Sequence, residues 1–147
     1  MGTRPLVAVA ALVLVASISV ACSDTDSVAV SCVPATGAGD AIAEGLTVQG
    51  GGTLTDAQAV KFAEPIGNVN YAVAGEIGGP GLEDEGDIGV WAVGGPDGDG
   101  PIWALDAVAI EFSEWLADAQ PGSPADRLRD EAAQSSAAGA AKDCVGG

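Results

Sequence analysis

The chain lacks histidine altogether, and only five of its 147 residues are lysine or arginine. The absence of histidine excludes a Ser-His-Asp triad, a Cys-His nucleophile pair and an imidazole-bound zinc ion. Phosphate-binding loops of the GxxxxGKS/T type and strand–GxGxxG–helix units are also missing from the sequence. Carboxylates are the only plentiful reactive groups, and we predict a protein that is not an enzyme and has no catalytic residues.

Basic residues are so scarce that the 21 aspartate and glutamate side chains leave a net charge of −16 at pH 7. Nucleic acids and anionic membrane surfaces attract proteins through clustered lysine and arginine side chains, which this chain does not have. We therefore expect no nucleic-acid partner. The usual role of such a charge is solubility, whereas a functional role would be cation binding or contact with a basic partner.

The longest apolar stretch, residues 6–21, is preceded by Arg4 and followed directly by Cys22 and the polar segment 23–27. A membrane-spanning helix needs roughly 20 apolar residues, so this shorter stretch is more typical of a signal peptide. A signal peptide that ends immediately before a cysteine resembles that of small secreted bacterial lipoproteins. The abundance of alanine, glycine, valine and aspartate makes the chain similar to the actinobacterial members of that class.

The resemblance implies that residues 1–21 are the signal peptide, 22–31 the lipidated cysteine with its tether, and 32–147 a single globular domain. It also implies an extracytoplasmic protein that Cys22 holds to the cell membrane through lipid. Lipoprotein cleavage sites usually carry leucine three residues before the cysteine, where this chain has Ser19. The alternative is ordinary cleavage after Ala21, which would release a soluble secreted protein.

The three cysteines, Cys22, Cys32 and Cys144, form an odd set, which requires an explanation in an exported protein. If Cys22 carries the lipid, the other two remain to form one disulfide in an oxidising compartment. That bridge would close a loop of about 110 residues, for which chain-entropy models give about 4–5 kcal/mol of stabilisation. We therefore predict a Cys32–Cys144 disulfide.

Short segments of strand-like sequence predict three strands, at residues 71–77, 88–93 and 102–105, and a weaker pattern predicts a fourth at 57–62. Segments rich in glycine, proline and aspartate separate most of them. Sequential short strands joined by such turns are typical of an antiparallel meander.

Helical spacing predicts a short helix at 40–46 and an amphipathic helix after Asp106. An Ala-rich stretch predicts a last helix from residue 124 to about residue 138, with Ser123 as its N-cap and Gly139 as its end. Because its one large apolar side chain is Leu128, we expect this helix to be exposed. The predicted fold is α+β: a small antiparallel sheet of three or four strands packed by one or two helices, with the termini joined by the disulfide.

Two acidic segments are candidates for cation binding. Residues 83–87 contain four carboxylates, and the segment that contains Asp97 and Asp99 resembles the start of a calcium-binding loop. The closing glutamate of such a loop is absent, since its position holds Val108. Aspartate–glycine pairs are also ordinary turn residues. Calcium held by Asp97 and Asp99 is thus the alternative to our prediction of no cofactor.

Trp91, Trp103 and Trp115 have two interpretations. Exposed together, they would form a platform on which a sugar stacks. The chain has only six aromatic residues, and Trp91 and Trp103 lie in predicted strands. We therefore predict that the tryptophans belong to the core, where large aromatic side chains contribute most of their stabilisation.

These observations favour a non-enzymatic, lipid-anchored envelope protein that binds another envelope component, such as a protein partner, through its acidic or apolar surface. The first alternative is a calcium-dependent extracellular binding module. The second is a carboxylate-dependent hydrolase, which would need two carboxylates about 5–10 Å apart in a cleft. The sequence indicates no particular ligand or oligomeric state.

Overall fold

The structure is a computed structural model that describes residues 30–82, 86–115 and 119–147. The predicted signal peptide and Cys22 lie outside the described residues, as does most of the predicted tether 22–31. Within the described ranges, no helix is long and apolar enough to cross a membrane.

A five-stranded antiparallel sheet forms the centre of the described chain, and its strands follow one another in sequence order from edge to edge. The strands are β1 (Val33–Pro34), β2 (Thr53–Ile66), β3 (Val69–Gly78), β4 (Ile88–Val93) and β5 (Ile102–Ala104). This order is the predicted antiparallel meander, in which neighbours need only short connections. All four predicted strands are present, whereas the two-residue β1 and the two ends of β2 were not predicted.

The described residues form four helices. They are α1 (Thr36–Ala43), α2 (Ala107–Phe112), α3 (Pro124–Ala133) and α4 (Ser136–Cys144). The helix predicted at 40–46 begins earlier, at Thr36, and ends at Ala43. The helix predicted after Asp106 is α2, and Asp106 Oδ1 caps it by accepting a hydrogen bond from Ala109 N over 2.9 Å.

Both faces of the sheet are apolar because helices cover both. Val73 and Trp91 belong to the core cluster formed with α1 and α2. Ala72 and Val90, their neighbours along the strands, belong to the cluster formed with α3 and α4. Successive side chains of a strand point to opposite faces, which accounts for this alternation. The α+β class is confirmed too, although the sheet is larger than predicted and has more helices around it.

The single Ala-rich helix predicted for residues 124–138 was wrong, because two helices occupy this stretch. Ser123 Oγ caps α3 as predicted, at 3.1 Å from Asp126 N. Ser135 Oγ then accepts a hydrogen bond from Ala138 N over 3.3 Å and starts α4. Gly139, the predicted end, lies inside α4 on its exposed side.

The predicted exposure of that helix was also wrong for α4. Ala137, Ala138 and Ala141 are buried in the cluster that packs on β2, β3 and β4. Alanine has no side-chain atoms beyond Cβ, so α4 approaches the sheet closely without large apolar residues. A search for a wide stripe of large side chains therefore missed this buried face.

The Cys32–Cys144 disulfide is present, with a Cα–Cα distance of 5.9 Å, and it confirms the predicted pairing. Cys32 immediately precedes β1 and Cys144 is the last residue of α4. The bridge therefore ties the first strand of the sheet to the helix that covers one of its faces.

The core cluster formed with α1 and α2 contains a hydrogen-bonded pair around Trp91, which has no exposed surface. Trp91 Nε1 donates to Ser113 Oγ over 3.2 Å, and that hydroxyl donates to the Ala109 carbonyl in α2. The indole N–H thus has a partner inside the core, which removes the cost of burying it unpaired.

Asp56 links the C-terminal end of the described chain to β2. Its carboxylate accepts hydrogen bonds from Gly146 N over 2.6 Å and from Gln58 Nε2 over 3.1 Å. These hydrogen bonds lower the pKa of the Asp56 carboxyl below its ordinary value of 3.8. The bond from Gly146 has the larger effect and the bond from Gln58 the smaller. Asp56 also has a positive φ of 50°, a conformation that aspartate tolerates better than most residues.

We predict that Asp56→Asn lowers the melting temperature at neutral pH by a small amount that disappears in acid. The folded-state pKa lies below the unfolded value, so the carboxylate stabilises the fold above about pH 4. This contribution is lost as the pH falls through the folded pKa. Melting curves of wild type and variant from neutral pH to pH 2 test this, with exposed Asp97→Asn as control. A difference that grows toward acid pH would contradict the prediction.

Candidate functional site

An open groove lies along the free edge of β2. β1 pairs only with Gln58 and Ala59, so among the described residues no strand lies beside β2 from Val60 to Ile66. The groove has a volume of about 760 Å³. We call it the edge groove; its lining residues are 30–31, 60–66, Glu131, 135–137 and Ala140.

The floor of the edge groove is apolar. Val60, Phe62 and Ile66 belong to the buried cluster beneath it, and their outer surfaces line the cavity. Ala137 and Ala140 of α4 also line it. Because the side chains of α4 are small, no described residue fills the space beside β2.

Three charged residues also line the edge groove: Lys61 and Glu64 on β2, and Glu131 on α3. The structure gives none of these side chains an ion pair or a hydrogen bond to another described residue. Other basic side chains are engaged, since Arg129 pairs with Asp126 over 2.6 Å and Lys142 with Asp106 over 3.1 Å. No described residue therefore neutralises these three charges, and Lys61, between Val60 and Phe62 of the floor, extends from β2 toward the opposite face.

The described chain begins beside this groove. Val30, which is 55% exposed, and Ser31 contribute to its lining. Cys22 lies eight residues before Val30. Because a fully extended chain advances at most about 3.6 Å per residue, the groove lies within about 30 Å of Cys22 along the chain.

A second cavity, of about 520 Å³, lies at β5, the opposite edge of the sheet. Glu44, Glu114, Trp103, Trp115 and Arg129 are among its lining residues. Trp115 Nε1 donates to the Ile42 carbonyl over 3.0 Å. The charge of Arg129 is already matched by Asp126 and the Trp115 N–H already has a hydrogen-bond partner, whereas the Glu44 and Glu114 carboxylates have no partner among the described residues.

The three tryptophans do not form one platform. Trp91 is fully buried, which confirms the core prediction for that residue. Trp103 and Trp115 are only partly buried; each packs against a core cluster, and both line the second cavity. The strand register explains the separation of Trp91 and Trp103: Trp91 lies opposite Ala104 and Trp103 opposite Ala92, so the two indoles leave the sheet on opposite faces.

Asp97 and Asp99, the predicted calcium ligands, are exposed in the connection between β4 and β5. The described residues contain no group of three or more acidic or cysteine side chains placed to hold a metal ion. Most of the other acidic segment, residues 83–85 of 83–87, lies outside the described residues. Among the described residues, no further acidic side chain joins Asp97 and Asp99 to form such a group.

Sequence reasoning missed the edge groove. The strand prediction at 57–62 included Lys61 and Phe62 but gave them no role, and the helix prediction treated Ala137 as exposed. No local pattern marks the groove, because it arises where β1 stops after two residues and no other described strand pairs with the edge of β2.

The chain was compared with models of protein families, with curated proteins and with solved structures, and none of the three comparisons gave a match.

Proposed function

We propose that this protein is a non-catalytic, lipid-anchored component of the bacterial envelope that binds an apolar envelope molecule in the edge groove. One observation supports this above the others: an unfilled, apolar groove lies where the chain from Cys22 enters the fold. Its volume is within the range of about 300–1,000 Å³ typical of small-molecule sites. Burying apolar ligand surface on its floor would contribute about 25 cal/mol per Å².

The anchor is part of this proposal. A lipoprotein signal has a short apolar stretch with a basic residue before it and a cysteine directly after it, and here Arg4 and Cys22 hold those two positions. Attachment through Cys22 would keep the edge groove near the membrane, where apolar envelope molecules are concentrated. The absence of histidine favours binding over catalysis.

We predict that Cys22 of the mature protein carries a diacylglyceryl group. Intact-mass spectrometry of protein extracted from the envelope should show a chain that starts at Cys22 with that added mass. Cys22→Ala should be released in soluble form or stay unprocessed, with no lipid mass. An unmodified Cys22 in the mature wild-type protein would contradict the anchor.

We predict that filling the edge groove blocks ligand binding. Ala140→Phe places a ring in the cavity, where it occupies space that the ligand needs; the expected tenfold loss of affinity corresponds to about 1.4 kcal/mol of binding free energy. The full-length protein in vesicles would be exposed to a membrane lipid with a photoreactive diazirine in its acyl chain. Labelled peptides should contain residues 60–66 or α4 in the wild type and should be depleted about tenfold in the variant.

The matched control is Ala107→Phe, which adds the same ring at an exposed position at the start of α2. It should keep wild-type labelling, and the melting temperatures of both variants would show that each is folded. Equal labelling of wild type and Ala140→Phe would contradict the proposed site.

A further inference from the structure

We infer that the second cavity binds an organic ammonium ion between the indole rings of Trp103 and Trp115 and the carboxylates of Glu44 and Glu114. All four residues line that cavity, whose volume of about 520 Å³ lies within the range of about 300–1,000 Å³ typical of small-molecule sites. The cavity lies at the opposite edge of the sheet from the edge groove, so this inference does not depend on the proposed function.

The second cavity receives side chains from both faces of the sheet because it lies at an edge. β5 pairs with β4 on one side, and no described strand pairs with its other side. Trp103 packs against the core cluster formed with α3 and α4, whereas Ile102 and Trp115 pack against the cluster formed with α1 and α2. A space beyond the last strand is open to both faces, so the two indoles border it from different sides.

The C-terminal end of α1 holds Trp115 and Glu114 in place. Trp115 Nε1 donates to the Ile42 carbonyl over 3.0 Å, and its ring lies so close to Gly45 that a Cβ there would overlap it. Glu114 N donates to the Gly45 carbonyl over 3.0 Å, and Glu44 directly precedes Gly45 in the chain. These contacts bring the backbones of both glutamates and one indole ring to the same end of α1.

The unpaired charges of the second cavity are hydrogen-bond acceptors. The Glu44 and Glu114 carboxylates have no partner among the described residues. The Trp115 N–H is already bonded, and the Arg129 guanidinium pairs with Asp126 over 2.6 Å. A ligand that donates hydrogen bonds and carries a positive charge complements this lining. A primary ammonium group has N–H donors and no acceptor, so it meets both requirements.

Three further features favour a cation at this position. The last turn of α1 has no basic residue and its C-cap is Glu44, although the carbonyls at a helix C-terminus favour positive charge. Indole is the aromatic ring that attracts cations best, within about 6 Å of the ring centre. The net charge of −16 also attracts cationic ligands to the protein.

A neutral sugar matches the second cavity less well. Sugar hydroxyls both donate and accept hydrogen bonds, so a site that binds them needs donors as well as acceptors. Of the neutral side chains that line the cavity, only Trp103 has an N–H without a partner among the described residues. The two unpaired carboxylates therefore favour the ammonium, and a sugar is a competing outcome of the test.

The test titrates the full-length protein in phosphatidylcholine vesicles with butylammonium, butanol and butyrate, which have chains of similar length. Tryptophan emission is the readout, since Trp103 and Trp115 border the cavity and fully buried Trp91 gives a constant background. We expect a saturable change with butylammonium, and affinities at least about fivefold weaker for the other two probes. Glu44→Gln with Glu114→Gln should weaken butylammonium binding about three- to tenfold.

The matched control is Glu76→Gln with Glu111→Gln, which removes two charges at exposed positions outside the cavity. This variant should bind butylammonium as the wild type does, and melting temperatures would show that both variants are folded. A further probe, Nα-acetyl-lysine methylamide, carries the same butylammonium on a peptide backbone. Tighter binding of this probe than of butylammonium would indicate a lysine side chain of a basic partner as the source, and weaker binding would indicate a free amine.

Equal affinity for butylammonium, butanol and butyrate would overturn the ammonium inference, as would a response to glucose alone. Unchanged butylammonium binding in the folded Glu44→Gln, Glu114→Gln variant would also overturn it. So would the lack of a saturable response to butylammonium both in tryptophan emission and in the NMR signals of the probe. Lipid labelling of the edge groove tests the proposed function separately, so failure of one leaves the other standing.

Discussion

Replacing both Cys32 and Cys144 by serine is expected to lower the free energy of unfolding by about 2–5 kcal/mol, as for other native disulfides in small secreted domains. The bridge spans 112 residues of sequence, so its loss frees nearly the whole domain in the unfolded state. It also releases β1 and the end of α4 from each other. For a domain of this size we expect a fall of roughly 10–20 °C in melting temperature.

The double replacement is preferable to either single one, because a lone remaining thiol would be free to form a disulfide with a second molecule. Thermal melts of the double variant would be compared with wild type before and after reduction. Cys22→Ser serves as the control and should melt as wild type does. An unchanged melting temperature in the double variant, or two alkylatable thiols in the unreduced folded protein, would contradict the prediction.

Trp91→Ala is expected to destabilise the protein by about 3–5 kcal/mol, the usual range for removing a buried tryptophan side chain. Trp91 has no exposed surface, and its ring fills the layer between the sheet and α2. Its removal leaves a cavity and deprives Ser113 Oγ of the indole N–H. Chemical denaturation should show a lower midpoint, or an unfolded chain.

Ser113→Ala keeps this prediction testable if Trp91→Ala does not fold. It leaves the ring in place and removes the acceptor for the indole N–H together with the donor to the Ala109 carbonyl, which should cost about 1–3 kcal/mol. Ser136→Ala, at an exposed position in the first turn of α4, is the matched control and should change stability little. A cost no greater than that of the control would show that the buried hydrogen bond contributes little.

The helical elements show why part of the fold escaped sequence reasoning. α1 contains Gly37 and Gly39, and each glycine in a helix costs about 1 kcal/mol relative to alanine, so the pattern indicated a start only at residue 40. The folded protein needs both glycines there. A Cβ on Gly37 would lie 2.9 Å from Asp97 Cα, and one on Gly39 would lie 2.9 Å from Ala57 Cβ.

The sequence by itself determined the antiparallel meander, its apolar faces and the pairing of Cys32 with Cys144. Alternation and turn residues act locally, and the cysteine pairing followed once the lipoprotein resemblance assigned Cys22 to the lipid, so these features need no tertiary information. The tertiary structure alone decided the early start of α1, the burial of α4 through its alanines and the edge groove. These depend on how closely distant segments approach, and the groove exists because β1 covers only Gln58 and Ala59 of the long β2 strand.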